Sequence, residues 1–257
     1  MRRAVLALAF VLGACRGQER APEPSVPPSA TVASTTTQGA SSSAPPAATG
    51  SAPIAPATIA APPAAKTWAF DADAVGATPA GFSFGRTGDG KVGSWLVKAE
   101  SGAPSGANVL AQTDADATDH RFPVALADEP QLRDVDLGVR CKPVSGKVDQ
   151  ACGLVFRAKD ANNYYLARAN ALEGNVRIYF VKDGKRQQFG TWSGKVTSGA
   201  WHELRVIARG DRFEVSWDGA KVVEVKDATF GDAGRVGLWT KADSVTYFDD
   251  LTVKPAS

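Results

Sequence analysis

Beyond Trp68, apolar side chains recur at every second position in short runs, and no other feature of the chain constrains its fold as much. Leu204, Val206 and Ala208 share one face of such a run, Phe213, Val215 and Trp217 share a second, and Val176, Ile178 and Phe180 share a third. A period of two puts alternate residues on opposite faces of an extended chain, so each run predicts a strand with one buried face. No stretch after Lys66 repeats convincingly at helical spacing. Gly, Asp and Asn separate the runs, and Asp183-Gly184 and Asp218-Gly219 predict tight hairpins, because type I′ turns need positive φ at both central residues. The expected fold is all-β: about a dozen strands, each with a face to bury, stacked as two antiparallel sheets.

The strands occupy only part of the chain. From Arg16 to Lys66 there is no Phe, Trp or Tyr, and ten of the sixteen prolines lie there among Ala, Ser and Thr. That composition cannot build a core and predicts a disordered linker. Its reach lies between a coil of roughly 40 Å and an extended limit of about 150 Å. The domain expected at 67–257 holds 24 basic and 25 acidic residues. Such a balance argues against a nucleic-acid partner or an anionic membrane surface, both of which favour clustered basic residues.

Ahead of the linker, Arg2 and Arg3 precede an apolar run from Ala4 to Leu12 that is too short to span a bilayer as a helix. The sequence Leu12-Gly13-Ala14-Cys15 resembles the lipobox of bacterial lipoprotein signal peptides. The resemblance implies a signal peptide at 1–14, cleavage before Cys15, and acylation of that cysteine, with residues 15–66 as the tether. It places the protein in the bacterial cell envelope, and Arg16, where lipoproteins of the inner membrane commonly carry Asp, favours the outer membrane. An ordinary secretory signal, with Cys15 incidental, is the alternative.

Cys141 and Cys152 remain, in a compartment where disulfides persist. Val135 to Val139 and Gly153 to Phe156 read as the arms of a hairpin around Ser145-Gly146-Lys147, which sets the cysteines opposite one another and predicts a cross-strand bridge. Two reduced, buried thiols are the other reading.

Four segments carry a family resemblance: GLVFRAKDANNYYLAR at 153–168, WHELRV at 201–206, GRVGLWT at 234–240 and YFDDLTV at 247–253. Together they resemble concanavalin A-like jelly-roll domains, in particular the 3-keto-disaccharide hydrolase family and the domains labelled family 16 glycoside hydrolase-like. The resemblance covers approximately Trp68 to Lys254. It implies a two-sheet antiparallel jelly-roll sandwich, on which lectins, hydrolases and structural modules all occur. Family 16 enzymes carry Glu-x-Asp-x-x-Glu on one strand, and none of the eight glutamates begins that pattern. A GxSxG elbow and an HExxH motif are also missing, and His120 and His202 are the only histidines. No catalytic residue is assigned.

Sugar recognition needs flat apolar surfaces for CH faces and planar polar groups for hydroxyls. Tyr164, Arg168 and Asn170 alternate along one strand and project to one side, with Tyr165, Ala167 and Ala169 on the other as core; Arg157 on the preceding strand is expected to join the polar set. Trp239, Lys241 and Asp243 form a second candidate group. An ordinary solvated sheet face is the alternative for both. Two cation sites are considered: Asp114, Asp116 and Asp119 beside His120, and a structural calcium joining Asp71 or Asp73 to Asp249 or Asp250, where broken alternation predicts a bulge that exposes two acids. Three functions follow: an envelope-anchored carbohydrate-binding lipoprotein, a hydrolase of glycosides or 3-keto-sugars, or a structural lipoprotein that binds an envelope protein.

Overall fold

The alternating runs become strands in a computed structural model, which describes residues 64–256 and contains no helix among them. Cys15, the signal peptide and nearly all of the linker lie outside the described residues. Every strand pairing is antiparallel. One sheet runs β13 (Ala220–Lys226), β12 (Arg212–Trp217), β11 (His202–Arg209), β6 (Val135–Ser145), β15 (Val245–Pro255), β4 (Asn108–Gln112), β3 (Trp95–Ala99), with β1 (Lys66–Trp68) also on β15. The other runs β10 (Lys185–Ser193), β9 (Asn175–Lys182), β8 (Asn163–Asn170), β7 (Ala151–Asp160), β14 (Arg235–Trp239), β5 (Arg121–Ala127), β2 (Phe82–Gly88). The two sheets form the expected jelly-roll sandwich. The hairpins at Asp183-Gly184 and Asp218-Gly219 are present, with φ of 50° and 74° and of 47° and 80°.

The main core lies between the sheets. Leu137, Val139, Leu204, Val206 and Phe213 of the first sheet meet Leu154, Phe156, Tyr165, Ala167 and Ile178 of the second. A separate buried cluster lies on the other side of the second sheet: Phe122, Val124, Val155, Tyr164, Leu166, Tyr179 and Trp239. A second apolar layer on an outward sheet face is more than a sandwich core requires.

Two expectations need correction. Cys141 and Cys152 are bonded, with Cα atoms 6.4 Å apart, but not across a hairpin. β6 is already paired with β11 on one edge and β15 on the other, so it has no edge left for β7. The chain instead crosses from one sheet to the other, and the disulfide ties the two sheets through the core. The bulge near the C-terminal end is also real, with a register shift after Asp249 and φ of 48° at Asp250. It does not expose two acids: Asp249 is fully buried and Asp250 half-buried. Asp249 accepts from the Ser105 N–H at 3.0 Å, and the Ser105 hydroxyl donates to Asp250 at 2.7 Å. Asp71 accepts from the N–H groups of Ala107 and Asn108 at 2.7 and 3.0 Å, while the Asp73 carbonyl accepts from the Asn108 side chain. These acids thus fasten the loop before β4.

Candidate functional site

The second sheet is strongly curved. Arg186 on β10 lays its guanidinium 4.5 Å from the Phe122 ring on β5, although β9, β8, β7 and β14 stand between the two strands. Flat strands would separate them by about 24 Å at the usual strand spacing, far beyond one arginine side chain. The face bearing Tyr164, Leu166 and Arg168 is therefore concave, and Arg186 spans it.

Four of the seven ligand-binding candidates read from sequence meet on this face. Arg168, almost fully buried, donates to Asn175 at 2.9 Å, to Glu173 at 2.9 Å and to the Tyr179 hydroxyl at 3.1 Å. Asn170 accepts at Oδ1 from the N–H groups of Leu172 and Glu173, which fixes its amide and turns Nδ2 onto Asp149 at 2.6 Å. Lys241 places its ammonium between Asp149 at 3.0 Å and Asp119 at 2.7 Å. Trp239 packs parallel to Phe122, with centroids 5.5 Å apart.

The other three act differently. Tyr164 is fully buried beneath the face, bonded to Thr87 at 2.7 Å and accepting from the Trp239 indole at 3.2 Å. Burial pushes its phenol up to about 12. Asp243 accepts from the backbone N–H groups of Lys147, Val148 and Asp149, and so shapes the loop that delivers Asp149. Burial raises its carboxyl, but those three donors outweigh it and hold it below the usual range.

Arg157 does not join the set. A bulge in β7, with φ of 48° at Arg157 itself, turns the side chain to the core side, 5.2 Å from the Phe213 ring and 6.0 Å from Tyr165. There it donates to the carbonyls of Arg133, Gly210 and Phe230. Alternation counted along the sequence cannot anticipate an inserted residue, and so Arg157 falls on the wrong face.

The site's charges are nearly all paired. Burial raises the Glu173 carboxyl, and bonds from Arg168 and Asn175 overcome it to leave a value of about 2. Arg177 adds a second cation at 2.9 Å. The hydrogen bond from Lys241 holds Asp119 below the ordinary range. Burial pushes Asp149 up, with Lys241 and Arg168 opposing it. Both Asp149 oxygens face donors, Asn170 and Lys241, so the geometry is that of an acceptor anion.

Among the described residues, no group of three or more His, Cys, Asp or Glu side chains converges as a metal-ligand set. Asp114 and Asp116 instead face the buried Arg121, at 3.2 and 4.0 Å, while His120 stays at the surface. His202 bonds Asp218 at 2.7 Å and stacks on Trp217.

The structure thus defines a class: a jelly-roll sandwich with a concave face combining aromatic rings with buried charged hydrogen-bonding groups. No family model matches the chain. Part of it is 30% identical over 105 residues to a levanase of Bacillus subtilis (strain 168), a match covering 40% of this chain and 15% of that protein. In structure the chain is similar to the carbohydrate binding module CBM66 from Bacillus subtilis, with a TM-score of 0.52 and 22% identity over 68% of this chain and 95% of that one. It is also similar to the exoplasmic/lumenal domain of VIP36 in a Ca2+/Man-bound form, with a TM-score of 0.51 and 9% identity over 75% and 89% of the two chains. At these identities the likeness establishes the jelly-roll fold.

Proposed function

We propose that this chain is an envelope-anchored lipoprotein whose jelly-roll domain binds carbohydrate on the concave face of its second sheet. One observation carries the reading: Arg168, Asn170, Asp149 and Lys241 form a fixed polar network beside the Phe122, Tyr179 and Trp239 rings. The rings are buried and brace the network from beneath, and pre-set charged donors and acceptors suit a sugar's hydroxyls. The fold likeness to a carbohydrate binding module and the levanase match support the same reading. Anchorage rests on the Cys15 lipobox alone.

A binding module fits the site better than a hydrolase. Glycosidases need one protonated and one ionised carboxyl on either side of the bond. The carboxyls of this face are engaged by cations rather than left open toward a ligand: Asp119 and Asp149 both bond the Lys241 ammonium, and Glu173 bonds Arg168 and Arg177.

The test is binding of the full chain, solubilised in detergent, to a broad glycan panel, with sugar release measured in the same samples. The expected result is binding without release, weakened at least about tenfold by Lys241→Ala, the loss of roughly one charged hydrogen bond. A blank across the panel for a folded protein overturns the reading, and release of product replaces binding with hydrolysis.

A further inference from the structure

The charges on the concave face balance except at one residue. Glu173 is held by Arg168 and Arg177, and Asp119 and Asp149 are held by Lys241. Arg186 has neither a hydrogen bond nor an ion pair among the described residues. Its guanidinium instead lies over three rings, 4.5 Å from Phe122, 4.7 Å from Tyr179 and 5.8 Å from Trp239. Its Nη1 is buried without an acceptor, as is Nε of the neighbouring Arg168.

An arginine offers donors only, and a buried donor left without an acceptor is costly. Aromatic faces compensate the charge in part and accept no full complement of hydrogen bonds. Burial lowers the basicity of Arg186, and the Arg168 charge nearby acts in the same direction. A cation so placed is matched best by a ligand that brings both acceptor oxygens and negative charge. A neutral sugar brings oxygens alone.

We propose that the concave face takes an acidic sugar, whose carboxylate or sulfate pairs with the Arg186 guanidinium above the buried Phe122, Tyr179 and Trp239 rings. This rests on the carbohydrate reading above and names the class of sugar.

Calorimetric titration of the full chain tests it with four probes: a galacturonic acid oligosaccharide, its fully methyl-esterified form, a sulfated oligosaccharide and a neutral fructan oligosaccharide. The acid or the sulfate is expected to bind at least about tenfold more tightly than the neutral ester, and the two arms tell carboxylate from sulfate. Added salt is expected to shrink the advantage. Arg186→Met, which keeps an apolar stem over the rings, is expected to abolish it, so that acid, sulfate and ester bind within about twofold of one another. Arg186→Lys keeps the charge but not the fork and should retain part of it. If R186M fails to fold, Arg186→Gln is the neutral variant to read.

Binding of both the acid and the sulfate no tighter than the ester by the wild type overturns the proposal, as does a preference for either anion that survives loss of the Arg186 charge. Binding confined to the neutral sugars removes this inference alone. No binding of any sugar by a folded protein removes the carbohydrate reading with it.

Discussion

At the scale of single residues, the concave face depends on carboxylates kept ionised by their partners, and Glu173 is the clearest case. Its folded value of about 2 lies below the usual carboxylate value, so folding is favoured wherever Glu173 is charged in both states. That contribution is present above pH ~4.5 and disappears as the pH falls through about 2. Glu173→Gln is therefore expected to lower stability by about 1 kcal/mol at neutral pH, a modest figure because Glu173 is partly exposed. Thermal melts of both proteins from pH 7 downward check it: the curves should converge at the acid end. A constant gap down to the lowest pH would mean that the ion pairs with Arg168 and Arg177 are not its source. Legibility at this scale followed periodicity. Arg168 and Asn170 could be read from sequence because they alternate with Ala167 and Ala169 along an undistorted strand. Asp149 and Glu173 could not, since no local pattern marks the loops that deliver them, and Asp119 was legible as a member of an acidic loop and not as a partner of Lys241. Arg186 reaches the site only because the sheet curls, and no local pattern encodes that.

At the scale of strands, the alternating runs and Asp-Gly turns specified element type and hairpins well, because both are local physics. Which strand pairs with which is not local, and the Cys141 to Cys152 segment shows the difference. A glycine-centred turn between two apolar runs has the signature of a hairpin. Here β6 is claimed on both edges by β11 and β15, strands far away in sequence, and β7 is left to the other sheet. The disulfide is consequently a link between layers. Its loop is short, with a sequence separation of 11, and the chain-entropy account gives a stabilisation of about 3 kcal/mol. Replacing both cysteines with alanine is expected to lower the free energy of unfolding by about that amount in a guanidinium titration. Because Cys141 and Cys152 both sit in the main core, the loss should appear as a shift of one cooperative transition. A second transition would mean that the sheets unfold separately once the link is cut.

The whole sequence joins a nearly neutral sandwich to an aromatic-free, proline-rich segment and a lipobox-like Leu12-Gly13-Ala14-Cys15, and the proposed function makes it a tethered binder. A nearly neutral domain gains little on average from an anionic membrane surface, so the proposed anchorage rests on lipid at Cys15. A single acyl chain gives only reversible binding; two or more on one cysteine give lasting anchorage, at about 0.8 kcal/mol per buried methylene. Cys15→Ser is thus expected to move the protein from the membrane fraction to the soluble fraction of bacterial cells and to abolish incorporation of a labelled fatty acid. The sugar affinity of the purified variant should equal that of the wild type, since every residue of the concave face lies in the sandwich beyond Lys66. Retention of the serine variant in the membrane, without label in the wild type, would assign anchorage to something other than the lipobox cysteine. Loss of sugar binding along with the lipid would instead mean that the site works only when many copies are held together on a surface, where effective concentration rather than the single site sets the avidity.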